Sequence, residues 1–503
     1  MRKFQIIGII LVFILIGLLS IHSLNSINQD IGRHLKSGQI IWETKQVYKT
    51  NLFSFTEPNQ PFINHHWFSE VVFYLLYLAA GLKGLILLKT SVILLSFFII
   101  FLAIRKKTGI MLFVISSLVF MPVLIYRSDV RPEIFSYLFL SCFLFAIFRA
   151  KYRQEEKWLY LLPFIQIFWT NMHIYFALGP GLLFLFTVER LINSQQTIKR
   201  TALLFIATTA VTLVNPNFMS GALEPLRILG DYGYGVLENQ SIIFLRDYGT
   251  QIKYINIFEA SLIVLLLSWI LYFKNKAIDL KNKINFELMA SIVFSIMAVK
   301  MIRNFGIYAL TGISIAALNL SSVKIKNKKL RAGAIFAICA LISIAIYNTP
   351  NNNIYTWLED AKRFGFNIPD GASKAVEFVK QNNIRGPVFN NFDVGSLLVW
   401  KLFPKQKVFV DGRPEAYSVD FFEKIYKPMQ ENPALWQKYS EQYKINYVFF
   451  DYKDITPWAK SFLFNIFQNP KWTLIYRDNS TIILLKNTDE NRTLINRFKL
   501  NFI

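Results

Sequence analysis

Asp30 and His34 stand four residues apart in the run NQDIGRHLKSG, so a helix beginning at that aspartate carries both on one face. A carboxylate in that position can act as a general base, or share a cation with the imidazole. The plainer alternative is a helix N-cap followed by a solvated histidine. Further along, His65, His66, Trp67 and Glu70 open an apolar stretch. The imidazoles could donate to a phosphate, the indole suits the headgroup level of a bilayer, and Glu70 lies one turn from His66, so either could orient the other. An interfacial anchor would need only the tryptophan.

A second group carries positive charge. Arg127, Asp129, Arg131 and Glu133 crowd the segment RSDVRPE, where Pro132 fits the first position of a following helix. The two arginines could hold a phosphate or pyrophosphate, or pair with Asp129 and Glu133 and tie two helices together. Function carries more weight for Arg131, structure for Glu133. Arg303, beside Asn304, has no acidic neighbour in sequence. That suggests a ligand for phosphate, with snorkelling as the alternative. Asn171, His173 and Asn215 fall at helix ends, where with Glu70 and Asp129 they could bind the hydroxyls of a sugar or acceptor, or cap backbone groups. Near the C-terminus, Asp393, Asp411, Arg413 and Glu415 follow β-type runs, and turn chemistry accounts for them at least as well as catalysis.

The elements that must position these residues are mostly membrane helices. The 503 residues are 53% hydrophobic and only 17% charged, and the mean hydropathy is +0.35, too apolar for a soluble globular chain. The formal charge of +23 would suggest a nucleic-acid partner elsewhere. Here the basic residues fall largely in short loops between apolar runs, so they read as topology and no nucleic-acid partner is expected. The run at 5–20 reads as an uncleaved first span entering from the cytoplasm. A short apolar helix at 67–80 is expected to lie along the surface, ended by the glycines at 81 and 84.

Spans are then expected at 85–104, 109–126, 133–149, 157–172, 174–190, 200–214, 257–273, 286–301, 304–320 and 331–347, about 11 crossings in all. The basic loops 149–157, 190–200, 274–283 and 324–331 share the side of Arg105, as the positive-inside rule requires. The polar groups of the first two paragraphs share the other side. From 351 the pattern changes to short β-branched runs (GPVFNN, KVFVDG, INYVFF) alternating with amphipathic stretches, with a hairpin at 472–487 turned by Asp478 and Asn479. The expected fold is therefore a polytopic α-helical membrane protein over 1–350, with a first outer loop at 25–70, followed by an extracytoplasmic α/β domain at 351–503. Cys142 and Cys339 lie in apolar runs and suggest neither a disulfide nor a metal site.

With its acidic first outer loop, its HHW-led surface helix and its external α/β domain, the chain resembles the GT-C class of polytopic glycosyltransferases. That class includes protein O-mannosyltransferases, aminoarabinose transferases and oligosaccharyltransferases. The chain is also similar to a recurring group of bacterial membrane proteins through Asp30/His34/Gly38, Trp67, Arg131/Pro132, Asn171/His173, Asn215/Pro216 and Asp411/Gly412/Arg413/Glu415/Tyr417. The resemblance implies a polyprenyl-phosphate sugar donor and a glycan, lipid or protein acceptor of the cell envelope. It implies Asp30 as the base, in a bacterial plasma membrane with the N-terminus cytoplasmic. Arg303 or Arg131 would then stabilise the departing phosphate. Asp30 is followed by Ile31 and Gly32, and the loop has no D-x-D, which speaks against a divalent cation. The competing function is a carrier or flippase for a lipid-linked saccharide. The paired, Gly/Pro-interrupted helices in two similar halves that many transporters show are missing from the sequence. A scaffold that merely presents the external domain ranks third.

Overall fold

The computed structural model describes residues 2–24, 30–228, 230, 232–275, 284–323 and 328–500. Parts of the expected loops at 25–70, 274–283 and 324–331 lie outside the described residues. Two compact units are present. The first comprises Met1–Leu24, Ala80–Pro225 and Val236–Asn367; the second comprises Asn25–Ala79, Leu226–Gly235 and Ile368–Ile503. The described residues from 30 to 79 thus pack with the C-terminal segment as one body.

The first unit is helical. Among the described residues, five helices are long and apolar enough to cross a membrane: Lys3–Ser20, Trp67–Thr108, Glu133–Arg153, Ile174–Ile192 and Ile252–Lys274. A bent pair, Ile198–Leu213 with Phe218–Arg227 at 105°, makes a sixth if it is one span. Ile110–Tyr126 and Ala332–Asn348 are shorter apolar helices. At the centre is Phe305–Leu320, buried from Phe305 to Asn319 and packed against Ile110–Tyr126 and Ile252–Asn275. Its glycines explain the close packing: a Cβ on Gly306 would sit 2.3 Å from the Tyr137 hydroxyl, and one on Gly312 would sit 2.4 Å from the Phe120 ring. Small residues at helix crossings gain dispersion contacts that a membrane interior does not otherwise reward. Leu203, Ile206, Ile263 and Leu266 stay exposed, as suits a lipid-facing surface. The helix Trp67–Thr108 contains one non-helical residue, Gly81 (φ 62, ψ −163), so the expected break after the short surface segment falls at that glycine.

The second unit carries a four-stranded sheet: β1 (Val388–Asn390), β2 (Tyr447–Asp451), β3 (Trp472–Arg477) and β4 (Thr481–Lys486), in the order β1-β2-β4-β3. β1 and β2 are parallel, and the remaining pairs are antiparallel. The expected hairpin forms, with Asp478 Oδ1 accepting from the backbone of Ser480 and Thr481. One expected strand does not join the sheet. KVFVDG makes only an isolated bridge, Ser54 to Val408, because the Asn390 side chain takes the place of a neighbouring strand. Its amide donates to Val410 O at 2.7 Å and accepts from Phe409 N at 2.9 Å.

Candidate active site

In the second unit, the helix Ile31–Thr44 begins at Asp30, whose carboxylate does not cap it but pairs with Arg33 Nη2 at 3.1 Å. His34, one turn on, is buried, and its Nδ1 lies 2.9 Å from Glu70 Oε1. Asn64 Nδ2 donates to the other oxygen of Glu70 at 2.6 Å. Gly38 makes this contact reachable, because a Cβ there would stand 2.0 Å from the Glu70 carbonyl oxygen. The D-x-x-x-H-x-x-x-G spacing is thus one helix face: a half-buried carboxylate at the start, an imidazole one turn on, and a glycine where the backbone of a second helix comes closest. The His66 ring meets His34 edge-on at 5.5 Å, and His65 Nδ1 lies 3.2 Å from Ile63 O. Glu70, expected as an acceptor ligand, has both oxygens engaged and 1% exposure, so its geometry orients His34.

The D-G-R-x-E-x-Y motif is structural in its contacts. Arg413 donates to Asp411 through Nε and Nη2 at 2.7 Å each, and to Asn51 Oδ1 at 2.8 Å. Its guanidinium lies between Phe53 and Phe62, 4.8 and 4.7 Å from the ring centroids. This clamp ties the segment around 51–62 to the α/β core.

In the first unit, Arg127 grips Glu133 through Nε and Nη2 at 3.2 and 2.6 Å, and donates through Nη1 to Glu238 at 2.9 Å. Arg131 also donates to Glu238. Arg303 Nη1 donates to Asn239 Oδ1 at 2.8 Å, and its buried Nε has no partner among the described residues. Burial opposes charge on Glu238, but Arg131, Arg127 and Arg303 together hold its carboxyl well below the usual carboxylate range. Two guanidinium groups therefore bind Glu238, and a third, Arg303, binds the adjoining Asn239. All three arginines stand out in the sequence; Glu238, between the expected spans at 200–214 and 257–273, does not.

The remaining expected ligands are engaged elsewhere in this unit. Asn171 Nδ2 donates to Ile167 O and Val214 O, and Asn215 Nδ2 to Thr212 O and Phe218 O, all at 2.8 Å. His173 Nδ1 meets Ser136 Oγ at 2.8 Å. Asp129 faces Lys362 at 3.8 Å; burial opposes its charge, yet Lys362, His22 and Lys89 hold its carboxyl far below the ordinary range. The unforeseen members of that cluster are His22 and Lys89, whose Nζ lies 2.7 Å from His22 Nε2. No group of three or more His, Cys, Asp or Glu among the described residues is arranged to hold a metal ion.

No protein-family model and no curated protein matches the chain. Solved structures do. The archaeal oligosaccharyltransferase AglB from Archaeoglobus fulgidus, in complex with an inhibitory peptide and a dolichol-phosphate, superposes with a TM-score of 0.63 at 10% identity, over 97% of this chain and 74% of that one. ArnT from Cupriavidus metallidurans, bound to undecaprenyl phosphate, gives 0.58 at 10% identity over 96% and 97%. The arabinofuranosyltransferase AftD from Mycobacteria gives 0.56 at 11% identity, over 97% of this chain and 40% of that one. At such identities the likeness establishes the fold, that of GT-C polytopic membrane glycosyltransferases.

Proposed function

We propose that this chain is an inverting membrane glycosyltransferase, moving a sugar from a polyprenyl-phosphate donor to a glycan, lipid or protein acceptor of the cell envelope. The observation that carries the reading is the convergence of Arg127 and Arg131 on Glu238 and of Arg303 on the next residue, Asn239, in a chain with the GT-C fold. Asp30 takes the acceptor proton as the acceptor oxygen or nitrogen attacks the anomeric carbon, and His34, held by Glu70, supports it from the next turn. The bond to the lipid phosphate breaks in the same displacement, which inverts the centre, and the arginines take up the charge left on the phosphate oxygen. His65 and His66 are assigned to the donor side, with Asp129, Asn171, His173 and Asn215 as structural supports. About 11 crossings, a cytoplasmic N-terminus and an extracytoplasmic α/β segment in a bacterial plasma membrane complete the reading.

The test works whatever the sugar is. Envelope glycans, lipids and glycoproteins from cells lacking the gene are compared by mass spectrometry with cells complemented by wild type, Asp30→Asn or Arg303→Gln. One sugar residue is expected to vanish on deletion, return with wild type, and stay absent with either variant. Full restoration by Asp30→Asn removes it as the base, and an unchanged envelope after deletion ends the transferase reading.

A further inference from the structure

The anion position among the arginines is filled by the chain itself. Glu238 and Asn239 belong to one short turn, Leu237–Asn239, and between them they engage all three guanidinium groups: Glu238 binds Arg127 and Arg131, and Asn239 binds Arg303. The same turn is pinned by Ile302 N donating to Gln240 O at 3.2 Å. Glu133 differs in kind, since it begins a long helix, is 4% exposed, and is held by Arg127 and by the Tyr137 hydroxyl. Glu238 is 22% exposed and rides on a loop. One of the two carboxylates lies on a long helix, the other on a short turn.

We propose that Glu238 is an internal substitute for the lipid phosphate, filling its site at rest and exchanging with it whenever donor enters or product leaves. This rests on the reading of the arginines as the phosphate site. Charge supports the exchange. Three guanidinium groups face Glu133 and Glu238; with Glu238 gone, the excess is two positive charges, matching a phosphate monoester dianion. The donor phosphodiester carries one negative charge, so the emptied site favours the departing phosphate over the ground-state donor. Return of Glu238 then expels the product, which would otherwise be held tightly. A single turn that swings away frees all three arginines together. Glu238 thereby sets both donor affinity and product release.

Binding of undecaprenyl phosphate to the full chain in phosphatidylcholine nanodiscs tests this. Glu238→Gln keeps the size of the side chain and removes its charge, and is expected to tighten binding about tenfold, while Arg303→Gln weakens it at least as much. If Glu238→Gln binds no more tightly but Arg303→Gln binds more weakly, the exchange is wrong and the phosphate site stands. If neither variant alters binding, the phosphate site itself is wrong. A second measurement uses the wild-type chain: hydrogen exchange at 236–240 should rise on adding undecaprenyl phosphate and stay unchanged with undecaprenol. Inorganic phosphate separates headgroup from tail. A rise with it assigns the exchange to phosphate alone, and a rise only with the lipid assigns it to phosphate delivered by a tail. Unchanged or reduced exchange with both overturns the proposal.

Discussion

His34 Nδ1 and Glu70 Oε1 lie 2.9 Å apart although 36 residues separate them, and both side chains are 2% exposed. The contact exists because Gly38 lets the helix of His34 lie against the start of the helix of Glu70. A methyl at Gly38 would meet main-chain oxygen, which cannot yield as a flexible side chain can. Gly38→Ala is therefore expected to lower the melting temperature by several degrees and transfer by more than tenfold, through misplacement of His34 and Asp30. Near-normal melting and activity would show that the two helices can separate freely.

If Glu70 acts only by holding His34, their removals should not add. Glu70→Gln and His34→Gln are each expected to reduce transfer about tenfold, and the double variant by no more than the larger single loss. Multiplying losses in the cycle would give Glu70 a separate role, such as contact with the acceptor.

Much of this was legible in the sequence because charge in an apolar chain is conspicuous. The three arginines, the Asp30 helix face, the break at Gly81 and the hairpin at Asp478 follow from residue type and spacing. What periodicity cannot give is the partner of a charge when it lies far along the chain. Arg127 and Glu238 are 111 residues apart, and Lys89 and His22 are 67 apart. Nor does a β-type run disclose that an asparagine side chain will satisfy its backbone, which is why the segment at Val408 was expected in the sheet. The union of the segment around 51–62 with the α/β core likewise depends on the Arg413–Asn51 bond across 362 residues.

Arg413 and Asp411 are 1% and 0% exposed, so loss of one strands the other in a low-dielectric interior. Arg413→Leu is expected to cost about 3–5 kcal/mol and to be seen as a large fall in melting temperature or folded yield. The double change Arg413→Leu with Asp411→Leu should recover part of that loss. An unshifted melting curve for Arg413→Leu alone would contradict the clamp.

Burial raises the Asp393 carboxyl to about 7, and the like charges of Asp454, Asp451 and Asp30 push the same way. Because the folded state holds this proton more tightly than the unfolded chain, the associated stability is complete below about pH 4 and is lost as pH rises through about 7. The melting temperature of the wild-type chain should therefore fall across that window more steeply than that of Asp393→Asn, the two curves differing most above pH 7. Parallel curves would mean that Asp393 is ionised at little cost.

Lys89 is 0% exposed, and its Nζ lies 2.7 Å from His22 Nε2. His22 in turn lies 2.9 Å from Ser128 Oγ, in the segment that also carries Arg127 and Arg131. Lys89→Met keeps the volume and removes the amine, so Asp129 loses one of the groups that hold it, with Lys362 and His22 remaining. The expected result is a melting temperature lower by several degrees together with weaker binding of undecaprenyl phosphate, since the turn bearing both arginines loses one of its supports. Lys89→Arg, which keeps the charge but is larger, should preserve more of the binding than Lys89→Met. A Lys89→Met chain that melts normally and binds normally would reduce this cluster to passive packing.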